Sequence, residues 1–320
     1  MKKSGILLGA VTVMLLLCCL FPAVGALTVL SPDQPGPYHV GWYKVWYRVA
    51  PNGIYRATVR YPAIRDGWRA PADVSGAPYP GIVVANGFGG SEWNIKWIPK
   101  HLASYGYVTI CFTPPNKISP DVGQWSYGFR GGFETLQAQQ SRRFSPIYGV
   151  LDNETRGAIG LSMGGDGCIE ATGTLGSAID ASVTLAPANL PSVVAAARNI
   201  TVPIQLQVGA IDGLVPPADV LLMYTDFISN GTVKEFLAIT GGNHIGFIDE
   251  FFARLAKRLG IDNPPGITFE QQRNISSKYF TAWFQYYLKH LSEYYTYLFG
   301  AEAHHDLDEG ILADLRYNIP

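Results

Sequence analysis

Short apolar runs recur at residues 81–85, 107–111, 157–160, 181–185, 204–208 and 235–239, and the stretches between them are long enough for helices. Runs of this length without polar alternation fit strands buried on both faces, and their alternation with helical stretches predicts βαβ units. The fold class that follows is α/β: a mainly parallel twisted sheet with helices on both faces. Ahead of it, residues 40–49 and 54–61 are β-rich runs around the turn Pro51-Asn52-Gly53, which predicts an N-terminal antiparallel hairpin. Helices are expected over 91–104, 133–151, 163–173 and 218–230. Phe280, Trp283, Phe284, Tyr287, Leu288 and Leu291 recur at helical spacing and predict a long C-terminal helix with one face on the core. No internal repeat and no Gly-, Pro- or Ser-rich linker divides the chain, so residues 27–320 read as one domain with a C-terminal helical segment.

The N-terminus has a different character. Lys2 and Lys3 precede an uncharged apolar run, then Pro22 and small residues to Ala26, which reads as a signal peptide spanning 1–26. The alternative is an uncleaved anchor over residues 5–30 with the domain outside the cell. Either way the expected localisation is secreted or extracytoplasmic, with membrane contact only through this segment. Lys+Arg total 24 against 25 Asp+Glu, a net charge of -1, and that balance excludes nucleic-acid binding as the main role. Beyond the leader only Cys111 and Cys168 remain, which read as two buried thiols or at most one bridge. Asn153, Asn199, Asn230 and Asn274 head glycosylation sequons.

The chemistry concentrates at Gly160-Leu161-Ser162-Met163-Gly164, between an expected strand and an expected helix. A G-x-S-x-G in that context is a nucleophile elbow: the tight turn strains the serine backbone, and the flanking glycines leave room for neighbouring chain. A serine hydroxyl needs a base to take its proton and an acid to fix the base's tautomer. Asp212 follows the run 204–208, and His244 lies in Gly241-Gly242-Asn243-His244 after the run 235–239. The order Ser162, Asp212, His244, all at strand ends, is the order of an α/β-hydrolase triad. His39, His101, His290, His304 and His305 lack that setting. Asn86-Gly87-Phe88-Gly89-Gly90 follows the run 81–85, where the backbone N–H of Phe88, with that of Met163, would form an oxyanion hole.

These motifs resemble the serine α/β hydrolases that group dienelactone-hydrolase-like enzymes, platelet-activating-factor acetylhydrolases, chlorophyllases and bacterial cutinase-like polyester hydrolases. The resemblance runs from about Gly36 to Lys289 and rests on the oxyanion loop, the elbow, Val215-Pro216-Pro217 after the acid, and the His244 turn. It implies an α/β-hydrolase fold, an ester that acylates Ser162, and no organic or metal cofactor. Dienelactone hydrolases proper use cysteine where this chain has Ser162, so lactone specificity does not carry over. Polyester hydrolases flank the scissile ester with an aromatic and a Trp; Phe88 matches the first, and Ala188 stands at the second. Phe88, Trp93 and Ala188 are the substrate-lining candidates, with Trp97 and Trp125 beside them.

The expected function is an exported serine esterase acting on a small-molecule or polymeric ester. The same triad serves any acyl transfer, so a peptidase or acyltransferase stays open, as does a silent hydrolase fold used for binding. His304, His305, Asp306, Asp308 and Glu309 match no zinc spacing and read as a solvated face.

Overall fold

The computed structural model describes residues 31–319, so the expected signal peptide or anchor lies outside the described residues. Strands β1 (His39–Val49), β2 (Gly53–Ala63) and the short β3 (Gly67–Trp68) lead into β4 (Tyr79–Ala85) and α1 (Trp97–Ser104). Then come β5 (Val108–Thr113), α2 (Gly123–Gln140), β6 (Leu151–Leu161), α3 (Met163–Leu175), β7 (Ala181–Leu185) and α4 (Pro191–Ala197). β8 (Ile204–Gly209), α5 (Pro217–Leu222), β9 (Lys234–Ile239), α6 (Glu250–Arg258) and α7 (Phe269–Lys289) follow. α8 (Tyr295–Leu298), α9 (Ala301–Asp308) and β10 (Leu312–Asn318) end the chain.

The ten strands among the described residues form one sheet in the order β10-β9-β8-β7-β6-β4-β5-β2-β1-β3. The run from β5 through β4 to β9 is parallel, while β1 with β2, β2 with β5, and β9 with β10 are antiparallel. This is the α/β-hydrolase arrangement, with the hairpin where the sequence put it.

Alternate residues of the central strands serve two cores. Val83 and Ala85 of β4 join Ile110 and Phe112 of β5 under α2 and α3. Ile82 and Val84 join the opposite core with Phe280 and Phe284 of α7. Each such side chain, fully buried, contributes about 1.5–3 kcal/mol relative to exposure. That two-sided burial is why these strands read as unbroken apolar runs. Among the described residues no helix is long and apolar enough to cross a membrane.

Several expected boundaries move. The helix expected over 133–151 is α2, which starts at Gly123 and stops at Gln140. Its first half is glycine-rich because it packs very close: a Cβ on Gly132 would stand 2.8 Å from Val83, and one on Gly128 would enter the Phe112 ring. The segment 91–96 is a series of turns, and only Trp97–Ser104 is helical. The expected helix 218–230 is α5 followed by a π turn, Met223–Phe227. Helices α4 and α6 and edge strand β10 were not expected. The polar tail forms α9 and its C-cap, with His304, His305, Asp308 and Glu309 exposed as expected of a solvated face; Asp306 departs from that reading, being buried and accepting from Lys278 Nζ at 2.8 Å and Tyr279 Oη at 2.9 Å. Cys111 and Cys168 are both free and buried.

Candidate active site

The chain leaves β4 toward β5 on one side and returns to β6 on the other, so β4 and β6 meet at a topological switch point. The crevice outside the carboxyl ends of two such strands is where open α/β sheets bind ligands. The Phe88 loop leaves the end of β4 here, and Ser162 stands at the end of β6.

Ser162 has φ 55° and ψ -126°, a region that L-residues rarely adopt, and it is held there from both sides. Its N–H donates to Leu185 O at 2.7 Å, and its carbonyl accepts from Asp166 N at 2.9 Å. The first turn of α3 lies against the end of β4, where a Cβ on Gly164 would stand 2.6 Å from both Ala85 O and Asn86 O. A Cβ on Gly87 would come within 2.7 Å of Ser162 Cβ. Gly164→Ala is therefore expected to lower stability by about 1–3 kcal/mol, since the obstacle is backbone on both sides. It should also lower kcat by displacing the elbow from the Phe88 loop. Urea unfolding with parallel kinetics checks this, and wild-type values for both would refute it.

Asp212 and His244 sit in neighbouring turns, after β8 and β9. Asp212 Oδ2 accepts from His244 Nδ1 at 2.8 Å, and both side chains are buried. Asp212 Oδ1 accepts from the N–H groups of Leu214 at 2.9 Å and Val215 at 2.8 Å, which fixes the orientation of the carboxylate. Ile211 N donates to Gly242 O at 3.0 Å, tying the acid turn to the histidine turn. Asp262 ties them again, accepting from Gly213 N at 2.9 Å and Ile245 N at 3.0 Å. Gln272 of α7 exchanges two hydrogen bonds with the backbone of Asn243, at 3.0 and 2.7 Å. Neither Asp262 nor Gln272 was singled out in the sequence; a polar residue acting on backbone carries no motif, and only the turn residues Pro264 and Pro265 mark the place.

Ser162 and His244 line one cleft of about 450 Å³ with Phe88, Leu214, Val215 and Ile245. No hydrogen bond joins Ser162 Oγ to the His244 ring. The N–H of Phe88 and the N–H of Met163 donate to no protein acceptor among the described residues, whereas Gly89 N and Gly90 N are taken by Lys117 O and Gly87 O. Two free donors flanking Ser162 suit a developing oxyanion.

The remaining candidates divide. Phe88 is 56% exposed at the cleft mouth. Trp93 faces a different cleft, with Trp42 and Arg60. Trp125 is fully buried and donates Nε1–H to Asn86 O at 2.7 Å, and Trp97 donates to Phe247 O at 2.8 Å. These two brace the Phe88 loop and the His244 loop from behind rather than lining the cleft. Ala188 does not line the cleft either; its N–H donates to Asp166 Oδ1 at 2.6 Å.

Asp166 lies one turn beyond Ser162, and burial pushes its carboxyl pKa up to about 8, against the Ala188 hydrogen bond and with a small push from Glu170. The folded protein thus holds the Asp166 proton more tightly than the unfolded chain does. Stability from this group is complete below about pH 4 and is lost as the pH rises through about 8, on the order of a few kcal/mol. Asp166→Asn keeps an oxygen for Ala188 and removes the titration. Its Tm should therefore gain on wild type from pH 5 to pH 9, and parallel Tm curves would show the reading wrong.

Comparison with known proteins follows the same lines. The family described as PET hydrolase-like matches residues 36–311. Lipase 1 of Moraxella sp. (strain TA144) is 26% identical over 170 residues, 53% of this chain and 48% of that protein. Bis(hydroxyethyl) terephthalate hydrolase of Streptomyces coelicolor is 28% identical over 211 residues, 65% of this chain and 61% of that protein. Cutinase 1 of Thermobifida cellulosilytica is 22% identical over 216 residues, 67% of this chain and 74% of that protein. The chain thus spans about half to three-fifths of the length of the first two relatives.

Proposed function

The chain belongs to the PET hydrolase-like family, and from that premise we propose that it is an exported serine hydrolase that cleaves a carboxylic ester through an acyl-Ser162 intermediate. The observation that carries this is the buried Asp212–His244 pair, 2.8 Å apart, opening on the cleft that also holds Ser162 in its strained turn.

In the first half-reaction His244 Nε2 takes the Ser162 proton as Oγ attacks the ester carbonyl. The carbonyl oxygen becomes an oxyanion and accepts from the N–H groups of Phe88 and Met163. Asp212 keeps the Nδ1 proton on the ring and stabilises the imidazolium that forms. Collapse breaks the ester C–O bond, and His244 returns its proton to the leaving alcohol. Water then repeats the sequence on the acyl-serine, giving the acid and regenerating Ser162.

A cleft of about 450 Å³ falls in the usual range for a small ligand. Its walls of Leu214, Val215, Ile245, Ile248 and Ile261 suit an apolar ester. The names of the relatives, among them a cutinase and a bis(hydroxyethyl) terephthalate hydrolase, support a substrate range from small esters to polyesters. Ala188 does not line the cleft, and Phe88 is the one aromatic residue besides His244 among its lining residues. The expected result is hydrolysis of p-nitrophenyl esters together with covalent labelling by a fluorophosphonate. A protein that neither turns over such esters nor takes the label would be a silent binding fold instead.

A further inference from the structure

A second cleft, of about 640 Å³, lies on the far side of the segment that walls the active cleft. Asn94 and Ile248 line the active cleft, while their chain neighbours Trp93 and Asp249 line this one. The hydrogen bond from Asp249 N to Asn94 O at 2.6 Å closes the wall between them. The opposite wall is the hairpin, where Trp42 of β1 stands directly across from Arg60 of β2.

Arg60 is the anomaly. It is only 8% exposed, and its Nη1 is buried with no hydrogen-bond partner among the described residues. Burial lowers its pKa, and Asp249 and Glu92 attract it only from a distance. Glu92 is engaged elsewhere, by the Thr113 hydroxyl. Asp249 Oδ2, in the same cleft, is also buried without a partner. A buried guanidinium left unpaired is costly unless something polar occupies the space it faces.

What occupies it is constrained by the walls. A guanidinium fork matches a carboxylate in two parallel hydrogen bonds. Trp42 and Trp93 line the same cleft, and Lys44 Nζ covers one face of the Trp93 ring, 4.8 Å from its centre. Trp97 is fixed by its hydrogen bond to Phe247 O. Lys96 and Lys100 join Arg60 in the lining against the carboxylates of Asp66 and Asp249, and Asp249 Oδ2 offers an acceptor for a hydroxyl proton. We propose that this cleft is a second ligand site, for a carboxylate carried on a ring, the carboxylate seated on Arg60 and the ring stacked against Trp42 and Trp93. The binding involves no bond making and is independent of Ser162.

The test is titration of the Ser162→Ala protein with benzoate and with galacturonate, which present the same carboxylate on an aromatic and on a sugar ring. Tryptophan fluorescence and calorimetry are the readouts, and benzamide, methyl galactoside and acetate are the controls. Saturable binding of either ring acid, about tenfold or more tighter than its neutral counterpart and acetate, is expected, and which ring wins identifies the source. Trp93→Ala and Arg60→Met should each weaken it by about tenfold or more. Absence of saturation by both ring acids, equal binding of acetate, or an Arg60→Met or Trp93→Ala variant that binds normally would each overturn the proposal.

Discussion

Ser162→Ala is expected to lower kcat for ester hydrolysis by about 10⁶-fold and to abolish fluorophosphonate labelling, with the fold intact. The fold should survive because the Ser162 side chain makes no hydrogen bond within the described residues; the elbow is held by backbone, through Leu185 O and Asp166 N. Alanine keeps the Cβ that packs on Gly87, so the close approach of the two loops is unchanged. Only the hydroxyl oxygen, the proposed nucleophile, is lost. The residual rate, about 10³–10⁴ over water, would come from the two backbone donors and from binding. His244→Ala should be nearly as severe, and the double variant scarcely worse, because nucleophile and base act as one unit. Activity within about tenfold of wild type in Ser162→Ala would remove the serine from the mechanism. A large drop in Tm alongside lost activity would mean that the oxygen has a structural role that the geometry does not show.

Why the elbow was readable while its supports were not follows from what each feature asks of sequence. Gly160, Gly164 and Gly87 are required by backbone approaches that admit no other residue, so they leave a fixed spacing around Ser162. The strands were legible because burial on both faces needs apolar side chains at every position, as along 81–85. The start of α2 was hidden by the same force that shaped the elbow: Gly128, Gly131 and Gly132 lower helix propensity, yet each is needed to pack on Phe112, Val49 and Val83. Helix α6 was hidden for a different reason. Only Ala253 and Ala256 face inward, while Phe251, Leu255 and Leu259 face out, so its apolar stripe does not mark its core face. The tryptophans were visible as residues but not as roles, because nothing in a sequence says whether an indole meets a substrate or, like Trp125, a carbonyl behind the site. Asp262 and Gln272, which clamp the Asp212 and His244 turns, act through backbone atoms and leave no spacing to read.

Asp212→Asn is expected to lower kcat by about 10⁴-fold with little change in stability, and the reason lies in how the carboxylate is held. Oδ1 accepts from two backbone N–H groups, those of Leu214 and Val215, and only an oxygen can take that place. In the variant the amide oxygen must therefore occupy the Oδ1 site, which aims the amide nitrogen at His244 Nδ1. Facing a donor, Nδ1 can only accept, so the ring proton moves to Nε2. The imidazole then presents a hydrogen to Ser162 where catalysis needs a lone pair. The opposite rotamer would leave both backbone N–H groups facing the amide nitrogen, at about 1–3 kcal/mol for each unsatisfied donor. Asp212→Ala, which removes both the anchor and the wrong donor, should lose activity as well but also lower the Tm, because Leu214 N and Val215 N are then left without acceptors. Measured kcat with matched melting curves separates the two. A loss below about tenfold in Asp212→Asn would mean that His244 keeps its tautomer without Asp212, and the assignment of Asp212 as the orienting acid would fail.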